Sequence, residues 1–235
     1  MLDPNKSTAL NEIPGDTSDD TEMTVGRVEA FSDGVFGVAI TLLVLNLQVP
    51  HLAHGENTPA SILAFLTAQG GTYFSYFISF LSIGSVWIGH HQAFKLIRRV
   101  DATLQLTNII VLMAITLLPF TTAFLAEYIS QPDASLLQVA MIAYSLHWII
   151  MGVLMIVMWR YIRFGGLLKP NVSTARIKAV TNQFGVNGAV VGSIGLVVAL
   201  FSPMLSLIFY MVTTLYFMLP LIGLLRPEKG SIAPR

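Results

Sequence analysis

The chain has 235 residues, of which 54% are hydrophobic and 11% charged, and its formal net charge is zero. An ordinary soluble domain carries roughly 25% charged residues, so this composition, with a mean hydropathy of +0.70, indicates an integral membrane protein. The absence of cysteine excludes disulfides, thiol catalysis and thiolate metal sites, and the zero net charge argues against a nucleic-acid partner.

The first 22 residues hold Asp3, Glu12, Asp16, Asp19, Asp20 and Glu22 against Lys6 alone. This stretch has neither the basic start nor the apolar core of a secretory signal. Residues 1–24 are therefore expected to form an acidic, disordered cytoplasmic tail.

The stretch Arg27–Pro50, RVEAFSDGVFGVAITLLVLNLQVP, opens polar and becomes apolar, which predicts a first span over 26–49. His51, His54 and Glu56 follow in a loop, where solvation is a simpler reading than a metal site. The uncharged run 57–94 is interrupted by TAQGGTY at 67–73, so a short interfacial helix is expected over 59–68 and a second span over 72–94. Further spans are predicted at 102–126 and 136–159. The charge-free run between Lys178 and Arg226 accommodates two more, at 179–201 and 203–225, turned at Phe201-Ser202-Pro203, because proline disfavours helix at the residue before it.

Charge tests this count. Six spans place all 13 lysines and arginines on one side, while the loops 50–58, 127–135 and 201–203 carry none. The positive-inside rule makes the shared side cytoplasmic, with both termini inside. The expected organisation is a tail at 1–24, an all-α six-span domain at 25–226 and a short C-terminal tail at 227–235.

Ionisable groups within spans are costly and usually functional. Arg27, Glu29 and Asp33 stand at the start of the first span. Glu29 and Asp33 share a helical face, whereas Arg27 and Asp33, six apart, point in different directions. Two readings stand for Asp33. It seeks a partner on another helix, or Ser32 or Asp33 caps a helix starting at Gly34 while Arg27 snorkels to the headgroups. Trp87, His90 and His91 close the second span at the same depth, so one histidine is placed to donate to Asp33 or Ser32. His147 lies mid-span and requires a hydrogen-bond partner, by default a structural one, with a proton relay as the rival. Glu127 is expected to be solvated at the outer surface. Gly188 and Gly192 form a GxxxG flanked by Gly185 and Gly195, the mark of close helix packing within or between subunits. No Walker loop, GxGxxG, HExxH or nucleophile elbow is present. The TVGR at 24–27 lies at a helix start rather than in a re-entrant loop, so it is not a potassium filter.

The pattern Arg27-x-x-x-Phe31-Ser32-Asp33, followed by GVFGVAITLLVL, VWIGHH late in the second span and LLPF at 117–120, resembles the bacterial members of the transmembrane protein 175 family of potassium channels. The likeness covers roughly residues 25–225. It implies a single-repeat prokaryotic homotetramer in the cell membrane, K+ as the permeant ion, no cofactor, no enzymatic activity, and a first helix lining a central pore without a re-entrant filter loop. It also implies that Arg27, Phe31, Ser32 and Asp33, with Trp87, His90 and His91, form a structural network. Carried onto this chain, the resemblance places the hydrophobic constriction at Val38, with Leu42 and Leu45 on the same face and Thr41 as the selectivity residue. The rival expectation is a proton-coupled secondary cation transporter, motivated by Arg27, Glu29, Asp33 and His147.

Overall fold

The computed structural model describes residues 24–50, 58–129, 131, 133–181 and 187–224. The expected tails at 1–23 and 227–235, the loop carrying His51, His54 and Glu56, and Gly185 lie outside them.

The regular elements among the described residues are helices. Helix α1 runs Val25–Leu42 and tightens into a 3-10 turn at Leu43–Asn46. Helix α2 is Pro59–Ala68 and α3 is Gly70–Phe94. Next come α4 at Ala102–Thr116, α5 at Leu118–Tyr128 and α6 at Ala134–Phe164. The chain continues with α7 at Thr174–Thr181, α8 at Asn187–Phe201 and α9 at Pro203–Leu224. Among the described residues, four stretches are long and apolar enough to cross a membrane: Val25–Asn46, Gly70–Phe94, Ala102–Tyr128 and Ala134–Phe164. Gly188–Phe201 and Pro203–Phe217 are shorter apolar helices.

Local chemistry sets these boundaries. Thr24 caps α1 by accepting from the Arg27 N–H. Thr58 and Ser61 form a reciprocal capping box at α2. Asp101 caps α4, accepting from Leu104 N at 2.8 Å, and Asp133 caps α6, accepting from Ser135 N at 2.8 Å. The stretch expected to be one helix over 102–126 is two. Pro119 cannot donate to the carbonyl one turn back, so α4 ends at Thr116 and α5 restarts at Leu118. Helix α6 extends five residues beyond the 159 expected from hydropathy, because Arg160 and Arg163 lie past the apolar stretch and tolerate helix in water.

Two loops at the basic end are tied together. Ile97 and Leu168 form an isolated antiparallel bridge, with Arg98 N donating to Leu167 O and Lys169 N to Leu96 O, both at 2.8 Å. Tyr161 donates its hydroxyl to Asp101 at 2.7 Å, joining the last turns of α6 to the start of α4. At the opposite end, Gln48 and Gln69 exchange hydrogen bonds, N to Oε1 at 3.2 Å and Nε2 to O at 3.0 Å. This pair binds the strand-like exit of the first helix to the junction of α2 and α3.

Two apolar clusters fill the interior. One gathers Phe36, Ile83, Phe94, Leu104, Met155 and Trp159 from α1, α3, α4 and α6; the other gathers Leu125, Met141, Tyr144, Ala199 and Tyr210 from α5, α6, α8 and α9. Glycine sets the contact between α6 and α8. A Cβ on Gly188 would meet the Gly152 Cα at 3.1 Å, and one on Gly192 would meet the Ile149 side chain at 2.8 Å. The GxxxG is thus spent on packing within the chain.

Candidate functional site

Helix α1 has two unlike faces. Val28, Ser32, Phe36, Ala39 and, in the turn that follows, Leu43 are buried. The opposite stripe of Arg27, Phe31, Val38, Thr41, Leu42 and Leu45 is exposed in the protomer. Contacts with α3, α4 and α5 explain the buried side.

Polar links hold that side. Trp87 on α3 donates Nε1–H to Asp33 Oδ1 at 2.8 Å. Glu29 Oε1 lies 2.8 Å from His91 Nδ1. The two pairs are four residues apart on each helix and run in opposite order, as an antiparallel α1–α3 packing requires. The His91 ring stacks on Trp87 with centroids 5.6 Å apart, so both partners of α1 are braced against each other. Deeper in, Asn108 on α4 donates Nδ2–H to Ser32 Oγ at 2.9 Å. Its Oδ1 pairs with His90 Nε2, also at 2.9 Å. Ser32 in turn donates its hydroxyl to Val28 O at 2.8 Å. His90 is sandwiched by Phe94 and Phe36, at 4.4 and 5.3 Å between centroids. Ser32, His90 and Asn108 are essentially inaccessible to solvent, and each meets a complementary group, as buried polar atoms must.

These contacts correct several expectations. The cap of α1 is Thr24, not Ser32 or Asp33, because helical backbone already begins at Val25 and both residues sit inside the helix. Neither histidine donates to Asp33; Trp87 takes that place, so its indole N–H faces the protein and not the headgroups. Ser32 is reached from His90 only through Asn108. Arg27 and Phe31 are not brought into this cluster within one chain: Phe31 is 56% exposed, and Arg27 forms no ion pair among the described residues. His147 lies within α6 and is half-buried. Glu127 is exposed.

Sequence reasoning missed Asn108. The signal was present: an asparagine midway along TLQLTNIIVLMAI (residues 103–115), where the hydrocarbon would leave its amide without a partner. It also missed Asn46, whose Nδ2 reaches Pro119 O at 3.4 Å and links the end of the first span to the break in the third.

On the exposed stripe, Thr41 donates its hydroxyl to Val38 O at 2.9 Å. The hydroxyl proton is thereby occupied by the helix, which leaves oxygen lone pairs as the group's outward feature. Val38 is 55% exposed and Leu45 is 73% exposed. No group of three or more metal-binding side chains occurs among the described residues.

The helical layout, with several crossings and a polar-pinned first helix, defines a polytopic membrane protein rather than a soluble one. Comparison with known proteins refines this. The family model described as "Endosomal/lysosomal potassium channel TMEM175" matches residues 27–119. A potassium channel of Streptomyces collinus is 40% identical over 171 residues, covering 72% of this chain and 78% of the relative. A potassium channel of Chamaesiphon minutus is 35% identical over 160 residues, covering 68% and 76%. The crystal structure of a lysosomal potassium-selective channel TMEM175 homolog from Chamaesiphon minutus superposes with a TM-score of 0.71 at 32% identity, covering 83% of this chain and 97% of that one. The chain belongs to the TMEM175 family, which is a family of ion channels and not of enzymes.

Proposed function

We propose that this protein is a potassium-selective channel of a prokaryotic cell membrane. In this reading it works as a homotetramer of six-span subunits, with both termini inside and the exposed stripe of α1 facing a central pore. The observation that carries the reading is the division of α1. One face is pinned to α3 and α4 by Asp33–Trp87, Glu29–His91 and Ser32–Asn108, while the other carries Val38, Thr41, Leu42 and Leu45 uncovered. Relatives of high coverage that are themselves named potassium channels support the same conclusion.

The chemistry is coherent. Four copies of Val38 and Leu42 converging on an axis form an apolar ring, and a narrow apolar ring excludes water and with it ions. Four Thr41 hydroxyls beside it offer oxygen atoms that replace part of the potassium hydration shell without a formal charge. On the cytoplasmic side of Val38, the same stripe carries Ala30, Gly34 and Gly37. Cβ atoms built at Gly34 and Gly37 meet nothing within 4 Å, so small residues leave that vestibule wide. Ser32 and Asp33, with Trp87, His90, His91 and Asn108, serve to hold the pore helix and do not touch the ion.

Potassium flux into proteoliposomes down a set gradient tests the reading. Passive flux that persists without a pH gradient is the expected result. Exchange that saturates and requires a proton gradient would replace the channel by a transporter.

A further inference from the structure

We propose that the acidic segment at residues 1–22 docks on the basic loops at the end of the bundle from which α1 starts, covering them as an intramolecular partner. The loops around Lys95, Arg98 and Arg99 and around Arg163, Lys169 and Arg176 are all exposed. The bridge between Ile97 and Leu168 and the paired bonds of Arg98 N and Lys169 N draw them into one surface. Among the described residues, none of these six cations forms an ion pair with a carboxylate. A concentration of like charge on one face repels itself and favours a counter-charged partner.

The same chain carries that partner. Residues 1–22 hold six carboxylates against one lysine. They lead directly into Thr24, the cap of α1. Glu29 pairs with His91 and Asp33 with Trp87, so the antiparallel register sets the start of α1 against the end of α3, where the first of the basic loops begins. A chain of 22 residues spans about 25 Å even as a coil, which makes the encounter intramolecular and its effective concentration high. The rival occupant of a basic membrane-surface patch is an anionic lipid headgroup. Attachment of the acidic segment at the patch favours the chain's own carboxylates. The inference does not depend on what the protein conducts.

The test uses the full chain in phosphatidylcholine nanodiscs. Carbodiimide joins carboxylates to lysine amines in contact, and mass spectrometry reads the linked peptides. Links from Asp16, Asp19, Asp20 or Glu22 to Lys95 and Lys169 are expected. They should fall about fivefold on raising salt from about 50 to about 500 mM, where screening shortens to a few ångströms. A similar fall is expected in the variant Arg98→Gln, Arg163→Gln, Arg176→Gln, which keeps both reporter lysines and should elute unchanged on size exclusion. Absence of the links at low salt, or links undiminished in the triple variant, overturns the proposal. Links lost when about a quarter of the lipid is phosphatidylglycerol assign the face to lipid headgroups and overturn it as well.

Discussion

Trp87 and Asp33 meet through one hydrogen bond of 2.8 Å between the indole N–H and a carboxylate oxygen. The acceptor is ionisable and the donor comes from another helix, so the bond ties α1 to α3 at the membrane surface. Asp33→Ala leaves the indole N–H without its partner, at a cost of about 1–3 kcal/mol. Trp87→Phe leaves the carboxylate bare and should cost a similar amount. A double-mutant cycle read by thermal unfolding in detergent is expected to give a coupling of about 0.5–3 kcal/mol. Strictly additive losses would show that the two residues act separately.

Asn108 bridges Ser32 and His90 in a site closed to water. Asn108→Ala strands both partners and is expected to destabilise the protein by at least about 1–3 kcal/mol. Assembly should weaken with it, since α1 loses its deepest polar anchor. A variant as stable and as oligomeric as the parent would remove Asn108 from the network.

Val38 and Thr41 are assigned different tasks, so their substitutions should separate. Val38→Asn wets the apolar ring and is expected to raise single-channel conductance. Thr41→Val keeps the shape, deletes the hydroxyl and should lower the potassium-to-sodium permeability ratio. Bilayer recordings decide both. If neither substitution alters permeation, the exposed stripe of α1 is not the ion path.

Gly152 has the backbone of Gly188 so near that an added Cβ would lie 2.7 Å from its carbonyl carbon. Gly152→Ala must push α6 and α8 apart, and overpacking of this kind costs about 1–3 kcal/mol. For a chain of this length that corresponds to a drop in Tm of about 2–12 °C. Ion selectivity should not change, because neither helix reaches the stripe on α1.

Asp101 supplies a dependence on acid. Desolvation works against its charge, but the Leu104 N–H, the Tyr161 hydroxyl and the charge of Arg99 together hold its carboxyl below the usual range. A depressed carboxylate contributes stability that is present above its unfolded pKa of about 3.9 and is lost as pH falls through the lower folded value. Tyr161→Phe should therefore lower Tm equally at all pH values from about 5 upward, and the difference from the parent should shrink below about pH 4. A difference that grew on acidification would contradict this sign.

Much of the layout could be read from composition because the hydrocarbon core enforces it. Long apolar runs and Pro203 after Ser202 leave few arrangements. The break at Leu117 was also visible, as Pro119 stands in an otherwise continuous run, yet hydropathy averages over it and hides it. The site was legible in outline only. Helical spacing put Asp33 and Glu29 on one face, and both do reach α3. It could not choose their partners, since Trp87 and His91 are distinguished from His90 only by the rotation of α3 against α1. Nor could it select the uncovered stripe of α1. That helix is apolar on every side, so the division between Phe36 and Val38 arises from tertiary contacts and leaves no periodic trace.

The interruption between Thr116 and Leu118 divides a membrane crossing between two masters. The first segment, α4, carries Asn108 and answers to the polar cluster under α1. The second segment, α5, carries Pro119 in its first turn, whose carbonyl takes the Asn46 amide from the far end of the first span. The two ends of the first span are thus tied to different helical segments.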